Sequence, residues 1–214
     1  MLLEKSQKKT NHTHPFLQTQ STFPTAPDFR RLLHQYRDFN NKISRSAQRV
    51  IQEIMDDLVA VRTTPNRAEE TEKILRVPQT GDLVTVRRPR IDLFVESSDG
   101  TEYYFDLKTA KPNISGFRGY KRQLLEWVAI RGAQDNTANI RTLIAIPYNP
   151  YEPEPYQRWT LQGLFDLENE IKVAEEFWNF LGGDNTYEQL LSVFETVGLE
   201  LRPEIDARFE KFKT

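Results

Sequence analysis

Apolar residues along this chain change period partway through, from helical spacing to the short β-branched and aromatic runs of a sheet, and back again. Phe29, Leu32, Leu33 and Tyr36 recur at helical spacing after Pro24 and Pro27, with Asp28 placed as an N-cap, which predicts a helix over 28–39. A second helix is predicted over about 44–60 from the stripe Ala47, Val50, Ile51, Ile54 and Leu58. Glu53 and Asp57 flank that stripe, and Thr63-Thr64-Pro65 ends the helix. Four runs then read as strands separated by turn residues: Ile74–Val77, Leu83–Val86, Ile91–Val95 and Tyr103–Leu107. Phe117, Tyr120, Leu124, Trp127 and Val128 return to the 3.6 period and predict a helix over 117–133. Ile140, Leu143, Ile144, Ala145 and Ile146 form a further buried strand. A strand, a long helix and a strand give a parallel pair with a right-handed crossover, so the centre of the chain is read as α/β.

Pro147 to Trp159 holds four prolines with Tyr148, Tyr151, Tyr156 and Trp159, and reads as an ordered aromatic loop. Helices are predicted over 167–181, stopped by Gly182-Gly183, and over 187–196. The chain is thus read as a polar arm over 1–27 and one domain over 28–214. That domain has its core at about 44–147 and a helical C-terminal part at about 160–214.

Composition narrows the chemistry. There is no cysteine, and His12, His14 and His34 all lie near the start, so a metal site elsewhere has oxygen ligands, which favours Mg²⁺, Mn²⁺ or Ca²⁺. No apolar run approaches the ~20 residues of a membrane helix. Lys5, Lys8 and Lys9 stand where an export signal needs apolar residues, so a cytoplasmic protein without membrane contact is expected. The net charge of −2 hides an uneven spread: residues 73–122 carry 10 basic and 6 acidic side chains, and residues 160–214 carry 5 basic and 12 acidic. The middle suits phosphates, and the C-terminal part is expected to face away from them.

Asp92, Asp106 and Lys108 are the set that carries chemistry, since hydrolysis of a phosphodiester needs carboxylates to hold a cation and a positive group near the attacking water. On a strand, Asp106 and Lys108 stand at i and i+2 and leave one face, while Phe105 and Leu107 leave the other. The connection to the preceding strand decides whether Asp92 joins them. A three-residue loop, Ser98-Asp99-Gly100, with Gly100 in the left-handed region, pairs Ser97 with Thr101 and sets Asp92 opposite Asp106. A two-residue Asp99-Gly100 turn pairs Asp92 with Leu107 and puts the carboxylates on opposite faces. A second match to the Glu-x-Lys pattern, Glu170-Ile171-Lys172, lies in a run read as helical, where i and i+2 do not share a face.

This order of elements, with Pro89-Arg90-Ile91-Asp92 and Asp106-Leu107-Lys108, resembles the PD-(D/E)xK nuclease superfamily, departing slightly in the two residues between proline and acid. Residues 105–113, 121–127 and 176–183 are similar to a narrower group, the TdeIII-like type II restriction endonucleases, over roughly 75–205. The resemblance implies a restriction-endonuclease-like core, a mixed central sheet flanked by helices, with extra N- and C-terminal helices. It implies Mg²⁺-dependent cleavage of double-stranded DNA at a short palindromic site such as GGNCC, with Mn²⁺ as a substitute metal. In its terms Asp92, Asp106 and the carbonyl of Leu107 ligate the metal, and Lys108 orients or deprotonates water. An acid from the first core helix often joins such sites, with Glu53 the candidate and Asp57 its substitute. A cognate DNA methyltransferase is the implied genetic partner.

Arg88, Arg90, Lys111, Asn113, Arg118, Lys121 and Arg122 surround this set and are read as DNA contacts, Lys121 pointing most directly at the site; a solvated face is the alternative. One Asp-Asp-Lys set per chain cuts one strand, so a double-strand cut at a palindrome implies a twofold homodimer. Tyr148, Tyr151, Phe177 and Trp178 offer apolar surface for it, although core packing is the safer reading for Trp178. Two other readings compete: a repair or recombination nuclease of the same fold, and a binding module in which Asp106 and Lys108 form a surface pair worth ~0–1 kcal/mol.

Overall fold

The computed structural model describes residues 29–36, 41–86, 90–109, 116–157 and 163–212. Its elements are β1 (Phe29–Tyr36), β2 (Lys42–Ser44), α1 (Arg45–Val59), α2 (Arg67–Arg76), β3 (Leu83–Thr85), β4 (Ile91–Ser97), β5 (Glu102–Leu107), α3 (Phe117–Gln134), β6 (Ile140–Ile146), β7 (Ile171–Val173), α4 (Glu175–Gly182) and α5 (Thr186–Glu210). A five-stranded sheet runs β1-β4-β5-β6-β7, and β2 and β3 form a separate pair. The β1–β4 and β4–β5 pairs are antiparallel, and β5–β6 and β6–β7 are parallel. The strand-helix-strand unit read from the sequence is β5-α3-β6.

The sheet is packed on both faces. One face carries Ile144, Ile146, Tyr104 and Phe94 against Leu124, Trp127 and Val128 of α3 and the apolar stripe of α1. The other carries Leu93, Val95, Phe105, Leu143 and Ala145 against Phe177 of α4. Burial on both faces explains why β6 is apolar almost throughout, as expected for a strand inside a covered sheet. Among the described residues no helix is long and apolar enough to cross a membrane.

Four elements differ from the sequence expectation. Residues 29–36 are the edge strand β1, paired with β4 from Phe29↔Ser97 to Tyr36↔Ile91 with an irregularity between Phe29 and Arg31, rather than a helix. Their apolar spacing fits a helix, but the open backbone edge of β4 supplies a ladder of hydrogen bonds that local spacing does not register. Residues 74–76, read as a strand, end α2. That helix has signals of its own: the side chain of Asn66 accepts from Glu69 N–H as an N-cap, Glu69 and Glu70 stand in the first turn, and Lys73 and Arg76 in the last. The helix expected over 167–181 is a turn, then β7, then α4, because Ile171 and Val173 add a parallel strand to the edge of β6. The last helix, expected over 187–196, runs on to Glu210 as α5.

Candidate active site

The β4–β5 hairpin decides the site. Gly100 has a φ of +82°, a conformation that favours glycine, and its N–H donates to the carbonyl of Ser97 at 2.9 Å. Ser97 N–H donates to Thr101 O at 2.9 Å, and Asp99 Oδ1 accepts from Thr101 N–H at 2.9 Å, bracing the turn. This is the three-residue loop, and the pairing Leu93↔Phe105 and Glu96↔Glu102 sets Asp92 across from Asp106. Both acids lie on the α3 face of the sheet, at the C-terminal end of β5.

Beyond Leu93↔Phe105 the backbone ladder gives way to a side chain. Asp92 Oδ2 accepts from Leu107 N–H at 3.0 Å, and Asp92 Oδ1 faces Arg90 Nε at 3.0 Å. N–H and C=O of one strand residue leave the same edge, so the Leu107 carbonyl is directed to the Asp92 side, while Lys108 N–H donates to Ala145 O at 2.8 Å on the other. Lys108 Nζ donates to Asp106 Oδ1 at 2.8 Å and stands 4.1 Å from the centre of the Tyr120 ring.

Asp106 is 3% exposed, and its Oδ2 is buried without a hydrogen-bond partner. Burial pushes its carboxyl up to about 6; the bond to Lys108 and the lysine charge pull it down, and Asp92 pushes it up again. A buried carboxylate oxygen with no donor, beside a second carboxylate and a directed carbonyl, suits a hard divalent cation that keeps water or phosphate on its remaining positions.

Two of the sequence-derived residues are not brought to this point. Glu53 is exposed and lines a groove between α1 and α2 with Val50, Ile54, Asp57, Lys73 and Arg76. Among the described residues no three acids or histidines gather into a metal-holding group, so Glu53 does not join Asp92 and Asp106. Asp57 pairs with Arg62 at 2.8 Å. The phase of α1 explains this: Gln52, Met55 and Asp56 face α3, and Glu53 falls on the far side.

Lys121 is the other correction. It is fully buried, with Nζ donating to Glu70 Oε2 at 2.5 Å and to Glu170 Oε1 and Oε2 at 2.8 and 2.7 Å, so it reaches no phosphate. The Glu170-Ile171-Lys172 run, expected in a helix, leads into β7. Its acid holds Lys121, and its lysine lies 5.2 Å from the ring of Phe180, so the pattern forms no site there either.

Arg118 is exposed and Arg122 half-buried on α3, where they line a groove with Gln52 and Asp56 of α1, and Arg122 donates to Gln52 Oε1 at 2.6 Å. Arg88, Lys111 and Asn113 lie outside the described residues. Tyr120, read from the sequence as part of the α3 core stripe, is the neighbour of Lys108 that sequence reasoning missed; nothing in its spacing separates it from Leu124 and Trp127.

Residues 32–198 match the family model described as type II restriction endonuclease, HinfI. The chain belongs to the HinfI family of type II restriction endonucleases. It is 31% identical over 144 residues to type II restriction enzyme HgiEI of Herpetosiphon aurantiacus, covering 66% of this chain and 52% of that protein. To HgiCII of the same organism it is 31% identical over 146 residues, covering 67% and 52%. To MjaII of Methanocaldococcus jannaschii it is 27% identical over 192 residues, covering 83% and 50%. The chain spans about half the length of these relatives. The HinfI family match includes the β4–β5 hairpin and α3, and so the whole of the Asp92, Asp106 and Lys108 set.

Proposed function

We propose that this chain is a Mg²⁺-dependent endonuclease that cuts both strands of DNA at a short palindromic sequence. The observation that carries the proposal is the pair Asp92 and Asp106 on one sheet face, with a buried, partnerless oxygen on Asp106 and Lys108 bonded beside it. Asp92, Asp106 and the Leu107 carbonyl are the residues that would hold Mg²⁺, or Mn²⁺ in its place. When bound, the ion polarises the phosphodiester and makes a coordinated water acidic. Lys108 orients the attacking water and offsets the negative charge that gathers on the phosphate.

Arg90 and Arg118 are exposed and Arg122 is half-buried, and all three clamp phosphates; Arg88, Lys111 and Asn113 belong to this reading by their place in the sequence. The narrower likeness to TdeIII-type enzymes is part of the same proposal and implies a G·C-rich site. One Asp-Asp-Lys set per chain supports a twofold homodimer, partnered in its host by a methyltransferase of the same specificity. Phe177, at 3% exposure, sits in the second core cluster and does not supply the subunit surface expected of it, whereas Trp178, which donates to Pro147 O at 2.7 Å, packs against the core as expected. Tyr148, at 55%, remains available for contact.

Incubation with plasmid and phage DNA plus Mg²⁺ is expected to give discrete fragments, abolished by chelation and by Asp92→Ala, Asp106→Ala or Lys108→Ala, with DNA binding retained in all three. Turnover at the wild-type rate by any of these variants refutes the site. Smears or structure-specific products refute restriction, and absence of cleavage refutes the enzyme.

A further inference from the structure

Among the described residues Lys108 has two partners, and a bound cation would change only one of them. Its ammonium bonds Asp106 Oδ1 at 2.8 Å and lies 4.1 Å from the centre of the Tyr120 ring. A divalent cation on Asp106 takes up the charge that attracts the lysine and adds a positive charge next to it. Lysine has a flexible four-carbon stem, so with Asp106 as its sole anchor it would swing away from the site. The face of an aromatic ring attracts an ammonium through its quadrupole, whatever charge sits on a nearby carboxylate.

We propose that Tyr120 is the positioning residue for Lys108: its ring face holds the ammonium at the catalytic pair when the carboxylates are engaged by metal. This rests on the assignment of Asp92, Asp106 and Lys108 as the active centre. The ring is itself held in place. Tyr120 stands in the first turn of α3 and meets Phe117 edge-on, with centroids 6.1 Å apart. Gly116, just before the helix, leaves the space that the phenol fills: a Cβ there would stand 2.7 Å from the Tyr120 hydroxyl and 2.8 Å from Cζ. The hydroxyl is not required for a cation–π contact, so phenylalanine preserves the function and leucine, which has no ring, removes it.

The test compares Tyr120→Phe, Tyr120→Leu and Gly116→Ala in the full chain, with folding checked by circular dichroism. Tyr120→Phe is expected to keep kcat within about twofold. Tyr120→Leu is expected to lower kcat by about three- to thirtyfold, the span of cation–π contacts from exposed to desolvated settings, with KM unchanged. Gly116→Ala, which keeps the ring and displaces it, is expected to fall between them.

A second readout needs no turnover. In protein labelled with ¹³C-lysine and loaded with Ca²⁺, the Lys108 Cε–Hε signal, assigned by its loss in Lys108→Arg, is expected to be shifted upfield by the ring. Tyr120→Phe should retain that shift, and Tyr120→Leu should abolish it. A Tyr120→Leu variant that keeps wild-type kcat overturns the inference, as does an unshifted wild-type signal. A fall in kcat of equal size in Tyr120→Phe and Tyr120→Leu overturns it too. If Asp106→Ala still cuts DNA, it is the active-centre assignment that fails, and the two failures are thereby told apart.

Discussion

Replacing Lys121 with methionine removes the only positive charge facing two buried carboxylates among the described contacts of that cluster. The three bonds of its ammonium, at 2.5, 2.7 and 2.8 Å, leave Glu70 and Glu170 without their cation, at 5% and 1% exposure. Breaking a buried pair by deleting one partner costs about 3–5 kcal/mol. The electrostatics give the direction of its pH dependence. Glu170 already lies above its ordinary 4.5, because burial outweighs the pull of Lys121, and without the lysine at least one of the two acids must be neutral. The sign follows from linkage. A carboxyl whose folded pKa is raised contributes stability below 4.5, and loses it as pH climbs towards the folded value. The penalty of Lys121→Met is therefore expected to be smaller at pH 5.5 than at pH 7.

Urea unfolding followed by circular dichroism, wild type against variant, at pH 7 and pH 5.5, measures this. The triple variant Lys121→Met, Glu70→Gln, Glu170→Gln should recover most of the loss, because glutamine still accepts from Asn66 N–H and Asp166 N–H, as Glu70 and Glu170 do. A variant within 0.5 kcal/mol of wild type at pH 7 (roughly the size of a neutral surface change) would refute the reasoning, as would a penalty that grows on acidification.

Gly100→Ala is expected to destabilise the chain by about 1 kcal/mol in the same unfolding assay, because its φ of +82° disfavours a Cβ, and an unchanged midpoint would sink that reading of the turn. Arg90→Ala frees Asp92 Oδ1 and removes a repelling charge; the arginine is largely exposed, so Mn²⁺ titrated without DNA is expected to bind only about two- to fivefold more tightly, and weaker binding would count against the site. Arg118→Ala and Arg122→Ala should each weaken binding to cognate and non-cognate duplex alike, and lower the slope of log K against log salt by about 1; a loss confined to cognate DNA would mean that these side chains read bases.

What the chain determined locally is most of the β4–β5 hairpin. The alternation in Tyr103 to Lys108 put Asp106 and Lys108 on one face, while Asp99-Gly100 allowed two registers, of which the structure takes the one that joins Asp92 to them. α1, α3 and β6 were legible for the same reason: each buries a face whose period is written in the residues themselves. β1 and β7 were not, since a strand that completes a sheet edge takes its hydrogen bonds from a partner far along the chain, and its own spacing is free to imitate a helix. α2 was announced by Asn66, Glu69 and Glu70, signals outweighed in the reading by a short apolar run. Tertiary structure alone decided which charges are buried and which are free. Lys121 and Arg122 are adjacent in sequence, yet the 100° step between helix neighbours aims one at Glu70 and Glu170 and the other at the surface groove. The same packing took Glu53 away from the acids it was expected to join, and brought Tyr120 over Lys108.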